Sequence, residues 1–584
     1  MALIRVWAPR PARVELASGD HGVPMVRDAA GWWSVDAPFV EHGVDYAFVV
    51  DGDGPFPDPR SPWQPHGVHG PSRWLDHGRF GWTDGGWRPP PLASAVIYEL
   101  HVGTFTREGT FDAAIERLDH LRDLGVTHVE LLPVAEFPGE RGWGYDGVDL
   151  YAPHHAYGGP EGLKRLVDAC HRRGLAVLLD VVYNHLGPSG NYLARFGPYF
   201  TDRHVTPWGE AVNVDGPDSD EVRRFFLDNA LSWLRDYHLD GLRIDAIHAI
   251  VDTSAVHLLE QLAVEAEALE GALGRPLALI AESDLNDPRV VRPRAVGGHG
   301  LDAHWNEDFH HALHALLTGE RDGYYRDYGR LADLAKVLTE GYALDGAYSE
   351  HRRRRHGRPA TGLSGRQLVA CLQNHDQIGN RALGERTSQL LSPEALRVGA
   401  SLVLTAPFVP MLFQGEEWGA STPFLFFTDH AEPELAEAVR RGRTEEFAAF
   451  GWSPDDLSDP QAASTFERSR LDWDEVRRPP HADLLAWHRA LIELRRRLPD
   501  LSDDRLERVT VRFDEAARWL VMTRGAVGVA CNLGEARQRV PCPGAAAGEM
   551  LLCSDDDAVL EDDAVSLAGP AVAVWVAAGG GRGR

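Results

Sequence analysis

The sequence predicts an α/β fold: a closed (β/α)8 TIM barrel, preceded by a small β-sandwich and followed by a small antiparallel β domain. One observation is that short apolar strand patterns alternate with helical patterns between residues 95 and 495, which favours a barrel over an open doubly wound sheet. The other is that four strand patterns end in a carboxylate, at Asp180, Asp245, Glu282 and Asp376. A buried unpaired carboxylate is costly, whereas a parallel barrel builds its active site from the C-terminal ends of its strands.

Length and changes of pattern divide the chain of 584 residues into three expected domains. The chain is too long for a single core, and a decorated barrel can take up roughly 400 residues. We expect residues 1–90 to form the N-terminal β-sandwich, residues 91–498 the barrel and residues 499–584 the C-terminal β domain. The proline-rich stretch 87–91 is a stiff break between the first two.

The two flanking regions show the short alternating runs that are typical of small β domains. Before the barrel, turn residues such as Asp51-Gly52 separate the runs 3–7, 14–16, 32–35 and 46–50. After the barrel, alternation returns in the runs 509–513, 519–522, 527–532 and 571–576.

Eight strand patterns and the helices between them make up the predicted barrel. The strand patterns lie at 96–101, 126–133, 177–185, 241–248, 278–283, 302–309, 367–374 and 408–414. Helical spacing of apolar residues appears at 111–124, 163–173, 222–237, 253–269 and 481–498, and the last of these helices should close the barrel. Neither a GxGxxG run nor a P-loop follows any strand, which argues against nucleotide binding.

Composition argues against two classes of partner. The net charge is −28, from 59 basic and 87 acidic residues, and this disfavours nucleic acid or an anionic membrane surface. No apolar run reaches the roughly 18 residues of a membrane span, and residues 1–7 have the pattern of a strand rather than of a cleavable leader. Five cysteines, an odd number without CxxC spacing, fit a reduced protein. We therefore expect a cytoplasmic location, and the oligomeric state is left open.

The four strand-end acids should meet on one rim, where they could bind a divalent cation, abstract a proton or cleave a glycosidic bond. Arg243 lies two residues before Asp245, so both side chains share a face of the strand, and this cation favours the ionised carboxylate that a nucleophile needs. No base neighbours Glu282 in sequence, so burial and like charges should raise its pKa, as a general acid requires. Asp376 could stabilise an oxocarbenium-like transition state.

These blocks, in this order and on these strands, are similar to the signature regions of the α-amylase superfamily of glycoside hydrolases, over roughly residues 95–495. The resemblance implies retaining hydrolysis, with Asp245 as nucleophile, Glu282 as general acid/base and Asp376 as transition-state stabiliser. It also implies that Tyr145 forms an aromatic platform under the sugar. The other sugar-binding residues that it implies are His185, Arg243, His248, Trp305, Asn306, Glu307, Asp308, Phe309, His375, Gln377 and Asn380.

Features outside these blocks narrow the resemblance. The N-terminal sandwich is similar to the glucan-binding module of branching and debranching enzymes, and residues 143–158 are similar to those of branching enzymes. Branching enzymes have Ser-His-Asp-Glu in the fourth region, whereas residues 373–377 here are Gln-Asn-His-Asp-Gln. Together with residues 305–311 and 413–419, this departure favours the trehalose-releasing hydrolases of the superfamily.

That resemblance implies cleavage of the α-1,4-glucosidic bond next to the terminal trehalosyl unit of maltooligosyl trehalose. Maltooligosyl trehalose and α-1,4-glucans are therefore the expected partners. A glucan-branching transferase with the same acids is one alternative. A non-catalytic glucan-binding barrel is the other, although such a barrel has no need of the acids.

Amylases often hold Ca²⁺ near the asparagine that matches Asn184. The connection after this residue is short and shows no evident oxygen cage, so we predict no required metal and no cofactor. Asp180 is expected to orient Arg243 or nearby backbone rather than to react. Glu416 and Glu417 are expected to hold the barrel rim, and the arginine run 352–355 has the pattern of a solvated loop.

Overall fold

The computed structural model describes residues 2–448, 457–545 and 548–577. Its centre is a closed barrel of eight parallel strands, and antiparallel sheets lie before and after it in the chain. The predicted fold class is therefore confirmed. The expected C-terminal domain extends to residue 584, and its last residues, 578–584, lie outside the described residues.

The N-terminal region forms two antiparallel sheets. Its strands are β1 (Ala2–Trp7), β2 (Val14–Ser18), β3 (His21–Pro24), β4 (Val26–Arg27), β5 (Trp32–Ala37), β6 (Asp45–Val50), β7 (Asp53–Phe56) and β8 (Ser72–Arg73). One sheet has the order β1-β5-β4 and the other has the order β3-β2-β6-β7, with β8 paired to β6.

Eight of the next strands close the barrel in chain order. They are β9 (Ile97–Leu100), β10 (His128–Leu131), β11 (Ala135–Glu136), β12 (Asp149–Pro153), β13 (Ala176–Val181), β14 (Phe200–Thr206), β15 (Gly209–Val212), β16 (Gly241–Ile244), β17 (Ala278–Ala281), β18 (Ala303–Trp305), β19 (Tyr348–Ser349), β20 (Arg354–Arg355), β21 (Leu368–Cys371) and β22 (Val409–Phe413). The barrel order is β9-β10-β13-β16-β17-β18-β21-β22, and β22 pairs with β9. The pairs β11/β12, β14/β15 and β19/β20 form separate two-stranded sheets in the connections between barrel strands.

Helices separate most of the barrel strands. The α-helices span Val102–Phe105, Phe111–Ile115, Leu118–Leu124, Gly159–His171, Leu193–Phe196, Ser219–Asp236, Leu258–Leu273, Glu307–Thr318, Leu331–Glu340, His375–Gly379, Thr387–Leu390, Pro393–Thr405, Pro433–Ala448, Ala463–Arg468, His481–Arg497 and Pro499–Ser502. The strand expected at 302–309 ends at Trp305, because the Asn306 side chain accepts a hydrogen bond from the Phe309 amide and caps the helix that begins at Glu307.

The alternation of side chains along the barrel strands places polar groups at the C-terminal end of the barrel. The apolar barrel interior includes Ile97, Leu178 and Ile280. Because residues i and i+2 of a strand share a face, the next inward positions are Glu99 on β9, Asp180 on β13 and Glu282 just after β17. The parallel strands all end on the same side, so these groups meet at one rim.

The C-terminal region forms two antiparallel sheets and is bonded to the barrel through arginines. Its strands are β23 (Val509–Asp514), β24 (Trp519–Arg524), β25 (Val527–Asn532), β26 (Gln538–Pro541), β27 (Glu549–Cys553), β28 (Val559–Glu561), β29 (Ala564–Leu567) and β30 (Ala571–Val576). The sheet orders are β23-β24-β25-β30-β27 and β26-β29-β28. Arg524 donates to the Thr405 and Ala406 carbonyl oxygens at 2.7 and 2.8 Å, at the end of a barrel helix.

Two sequence expectations concern the cysteines and membrane spans. The cysteines Cys170, Cys371, Cys531, Cys542 and Cys553 are all unpaired. Among the described residues, no helix combines the length and the apolar character that crossing a bilayer would require.

Candidate active site

A buried arginine on β16 joins the acids of the rim. The Arg243 side chain is fully buried, and its Nη1 donates to both Asp180 oxygens at 2.8 Å and to Asp245 Oδ1 at 2.7 Å. Its Nη2 lies 3.8 Å from Glu282 Oε2. Trp305 supports the guanidinium from below, with its ring centroid 4.2 Å away. Burial lowers the pKa of Arg243, but the surrounding carboxylates raise it well above its ordinary value, so this residue is a permanent cation.

The Asp245 carboxylate is held from both sides. Arg243 binds Oδ1, and Asn184 Nδ2 donates to Oδ2 at 2.7 Å. The next residue, Ala246, has φ +37°, a left-handed conformation that is unfavourable for a residue with a Cβ. This turn directs the Ala246 N–H to Glu282 Oε2. The strained turn therefore couples the positions of Asp245 and Glu282.

Glu282 has the setting of a proton donor. Burial raises its pKa, the nearby cation Arg243 opposes this effect, and the charges of Asp245 and Asp376 add to it, so that the pKa is raised to about 8. The increase expected from sequence is confirmed, although the sequence did not indicate that a cation lies near this group. At neutral pH the carboxyl group of Glu282 is mainly protonated.

Tyr145 and His375 form a stacked pair beside the acids. Their ring centroids lie 5.2 Å apart with 20° between the planes. The Tyr145 hydroxyl donates to Asp180 Oδ2 at 2.6 Å, and His375 Nε2 lies 2.7 Å from the same hydroxyl. His375 Nε2 is also 3.5 Å from Asp376 Oδ1, and the Asp376 side chain is 43% exposed. The structure thus brings Asp376 together with the other acids, at the open side of the cluster.

His185 extends this surface, and an aromatic side chain stacks on its ring. Its Nε2 lies 3.1 Å from the Tyr145 carbonyl oxygen. The half-exposed Trp208, in the turn between β14 and β15, stacks on the His185 ring at 4.8 Å with 6° between the planes. Sequence reasoning missed Trp208, because only the fold of the hairpin brings it over His185. Its one sequence signal is an aromatic residue in a hairpin turn.

Three more expected sugar-binding residues surround Asp376. Gln377 Nε2 donates to Glu307 Oε2 at 2.9 Å, and Asn380 Nδ2 lies 3.4 Å from Asp376 Oδ1. Burial, with the charges of Asp376 and Asp284, raises the pKa of Glu307 to about 8. The exposed His248 follows Asp245 by three residues, in the 3-10 turn Ile247–Ala249.

Three residues expected at the sugar site do not reach it. Asn306 caps the following helix and donates to the Gly341 carbonyl oxygen at 3.0 Å. Asp308 accepts from the Tyr328 hydroxyl at 2.6 Å, and Phe309 lies in the hydrophobic core. The expectation is wrong for these residues because β18 ends at Trp305 and the helical period then turns them inward. Trp305 is also buried, and it acts on the site through Arg243.

Arg352, in contrast, was expected to be solvated and is largely buried. The run 352–355 was expected in a solvated loop, and residues 353–355 are exposed. The Arg352 side chain is only 14% exposed and pairs with Asp284, two residues after Glu282. Its buried Nη1 has no hydrogen-bond partner among the described residues. Arg352 therefore presents an unused donor next to Asp284.

Two places in the structure bear on metal binding. Asn184 does not fit the calcium role, because its amide donates to Asp245 and its Oδ1 lies within hydrogen-bond distance of His185 Nδ1. Elsewhere, within the described part of the chain, Glu136, His154 and His155 place possible ligand atoms within 4.8 Å of one another. That the protein requires no metal stays a prediction.

Comparison with known proteins gives the class of the chain. Residues 74–199 match the family described as alpha amylase, catalytic domain, and residues 504–575 match a domain of unknown function, DUF3459. The barrel, its acids and the first match define a glycoside hydrolase of the α-amylase type. The chain is 55% identical over 542 residues to a malto-oligosyltrehalose trehalohydrolase of Arthrobacter ramosus, covering 92% of this chain and 93% of the relative. The chain therefore belongs to the malto-oligosyltrehalose trehalohydrolase family.

Two further proteins are similar to the chain at lower identity. A protein of the same name from Saccharolobus solfataricus is 44% identical over 492 residues, covering 84% of each chain. A solved structure from Salmonella typhimurium, described as a putative alpha amylase, is 39% identical with a TM-score of 0.90, covering 98% of this chain and 97% of the other.

Proposed function

We propose that this enzyme hydrolyses the α-1,4-glucosidic bond next to the terminal trehalosyl unit of maltooligosyl trehalose, releasing trehalose with retention at the cleaved carbon. The observation that carries the chemistry is the opposed setting of two acids around Arg243. Asp245 is bonded by the arginine and by Asn184, whereas the pKa of Glu282 is raised to about 8. A retaining glycosidase requires two catalytic groups, a carboxylate and a protonated carboxyl group beside it. The near full-length similarity to relatives named for this reaction supports the substrate.

In the first step, a carboxylate oxygen of Asp245 attacks the anomeric carbon of the glucosyl unit. The bond from this carbon to the glycosidic oxygen breaks, and Glu282 transfers its proton to that oxygen. Trehalose leaves, and the shortened glucan is held as an ester of Asp245. Arg243 and the Asp376 carboxylate stabilise the changing charges, the first at Asp245 and the second at the oxocarbenium-like centre.

In the second step, water takes the place of trehalose. Glu282 is now ionised and accepts a proton from the water, whose oxygen bonds to the anomeric carbon as the ester bond breaks. Both carboxyl groups return to their starting states. Two displacements at one carbon leave its configuration unchanged.

The sugar in the cleaved position would be bound by the groups that the structure brings to the rim. We propose that the ring of Tyr145 lies under the apolar face of this sugar, with His185 and His375 as hydrogen-bond partners. Glu307, Gln377, Asn380 and His248 are the remaining proposed sugar contacts. α-1,4-Glucans without a trehalosyl end are the proposed second class of substrate.

One assay separates this function from its alternatives. Incubation with maltopentaosyl trehalose should release trehalose and maltopentaose, and Glu282→Gln should be folded with only a small residual rate of trehalose release. Formation of α-1,6 branches on amylose would instead favour a branching transferase. Binding of maltopentaosyl trehalose without turnover by the unaltered enzyme would indicate a non-catalytic glucan-binding barrel. We also propose a cytoplasmic location, which the five unpaired cysteines support.

A further inference from the structure

Glu99 lies one layer beneath the rim, and the hydrogen bonds of its side chain in the described structure go to His375, a proposed sugar-binding residue. It is on β9 and is fully buried. Its Oε1 lies 2.6 Å from His375 Nδ1, and its Oε2 accepts from the His375 backbone N–H at 3.2 Å. Both oxygens therefore bind one residue. Glu99 is too deep to touch substrate, so its effect on the reaction must pass through His375.

The hydrogen bonds around His375 determine its protonation. The Tyr145 hydroxyl has one proton and donates it to Asp180, which also accepts from Arg243 and is therefore a poor proton donor. The His375 Nε2, 2.7 Å from that hydroxyl, must then donate to the tyrosine oxygen. Nδ1 faces a carboxylate and must donate as well. Both ring nitrogens carry protons, so His375 is an imidazolium cation.

We propose that Glu99 is a positioning residue that fixes the His375 ring and keeps it doubly protonated during the reaction. The Tyr145 hydroxyl oxygen accepts a hydrogen bond from the His375 cation, and the Asp376 side chain faces the same cation. Through His375, Glu99 holds the Tyr145 ring in its stacked position and gives Asp376 an oppositely charged neighbour. This inference depends on the proposed function only for its activity readout.

The surroundings of His375 act on its charge in opposite directions. Burial lowers the pKa of His375, Asp376 and Glu99 raise it, and Arg243 lowers it, so that the pKa is raised to about 9. The titratable groups that face or act on it from the surrounding elements are Glu99, His101, Glu130, Tyr145, Asp180, Arg243 and Asp376. Among them, Glu99 alone is hydrogen-bonded to Nδ1 in the described structure.

Nuclear magnetic resonance of enzyme labelled with ¹⁵N-histidine tests the protonation state directly. The His375 signal is assigned by its loss in His375→Gln. In the unaltered enzyme the signal should keep imidazolium shifts at pH 8 and titrate near pH 9. In Glu99→Gln, where an amide replaces the carboxylate, the titration should move to lower pH by about 1 to 3 units, the range for loss of an adjacent opposite charge.

Glu130→Gln is the matched control. Glu130 lies opposite Glu99 on the neighbouring strand and is equally buried, but it makes no hydrogen bond to His375 in the described structure. Burial raises the pKa of Glu130 well above its ordinary value, which favours its neutral form, so exchange for a neutral amide should change the charge near His375 little. This variant should leave the His375 titration unchanged. Glu99→Asp, which keeps the charge, should restore part of what Glu99→Gln loses.

The activity readout is the pH profile of trehalose release. In Glu99→Gln, kcat should fall at alkaline pH while KM changes little, and the alkaline limb should move to lower pH. The inference is overturned if His375 of the unaltered enzyme titrates below pH 6.5, or if folded Glu99→Gln titrates like the unaltered enzyme. The first result decides the matter even if Glu99→Gln does not fold. Because the resonance titration needs no turnover, it also decides the matter if trehalose is not the product.

Discussion

Trehalose release should be lost as the pH rises through about 8, because Glu282 must be protonated to expel the leaving group. Its surroundings raise the pKa of Glu282 from 4.5 to about 8. About nine-tenths of the enzyme then carries this proton at pH 7, against about 0.3% for a carboxyl group with the ordinary pKa, a gain of roughly 300-fold. The sign follows from the role: the acid form persists below the raised pKa, and only about one-tenth of it remains at pH 9.

The assay is kcat/KM for trehalose release from maltopentaosyl trehalose between pH 5 and 10, since kcat/KM reports the groups of the free enzyme. Glu282→Gln lacks this titrating group, so its small residual rate should lose the limb near pH 8. Only the fall near pH 9 that follows from deprotonation of His375 should remain. A maltosyl fluoride separates the roles further, because fluoride leaves without a proton. Formation of the ester from this substrate should survive Glu282→Gln far better than trehalose release does.

Two results would refute this reasoning. One is a profile that stays flat to pH 10, and the other is an alkaline limb below pH 6. Glu307 needs a separate control, because its pKa is also raised to about 8. Glu307→Gln should keep the limb and move it only slightly to lower pH, since one repelling neighbour of Glu282 is gone. Disappearance of the limb in that variant would assign the proton to Glu307.

The remaining predictions concern the nucleophile, the central arginine and metal dependence. Asp245→Asn should lower kcat by at least about 10³-fold without shifting the melting temperature by more than a few degrees; activity within tenfold would contradict the assigned role. Arg243→Met should lower the free energy of unfolding by about 3 to 5 kcal/mol, because it leaves two buried carboxylates without their cation. Denaturant titration measures this loss, and a loss below about 1 kcal/mol would argue that the acids find other partners. EDTA should leave trehalose release unchanged, whereas loss that Ca²⁺ restores would overturn the metal-free prediction.

The parts of the site that follow strand periodicity could be predicted from the sequence. A strand repeats its faces every two residues, so Arg243 and Asp245 had to share a face. By the same rule Asp180 faces the barrel interior, because Leu178, two residues before it, does so. In a parallel barrel the C-terminal ends of all strands lie on the same side. The barrel topology therefore predicted that these side chains, from strands distant in sequence, would meet there.

The parts that depend on contacts between elements could not be predicted in this way. Nothing near Glu99 in the sequence shows that it lies against His375, because the contact joins β9 to the helix after β21. Arg352 looked like one of four similar charges, and only the fold buries it beside Asp284. The error at Asn306 has a local cause. The Asn306 side chain caps a helix and ends the strand, so the residues that the resemblance assigned to the sugar site beyond Trp305 follow a helical period, which places Phe309 in the hydrophobic core.

Trapping the covalent intermediate tests the central claim most directly. A 5-fluoro-α-glucosyl fluoride forms the ester quickly and hydrolyses slowly, so the labelled enzyme can be digested and its peptides read by mass spectrometry. Our account predicts a single glucosyl label, on the peptide that contains Asp245 and on its side-chain carboxylate, with no label in Asp245→Asn. A label on Glu282 or Asp376, or an enzyme that turns over this reagent with inversion and without any label, would contradict it.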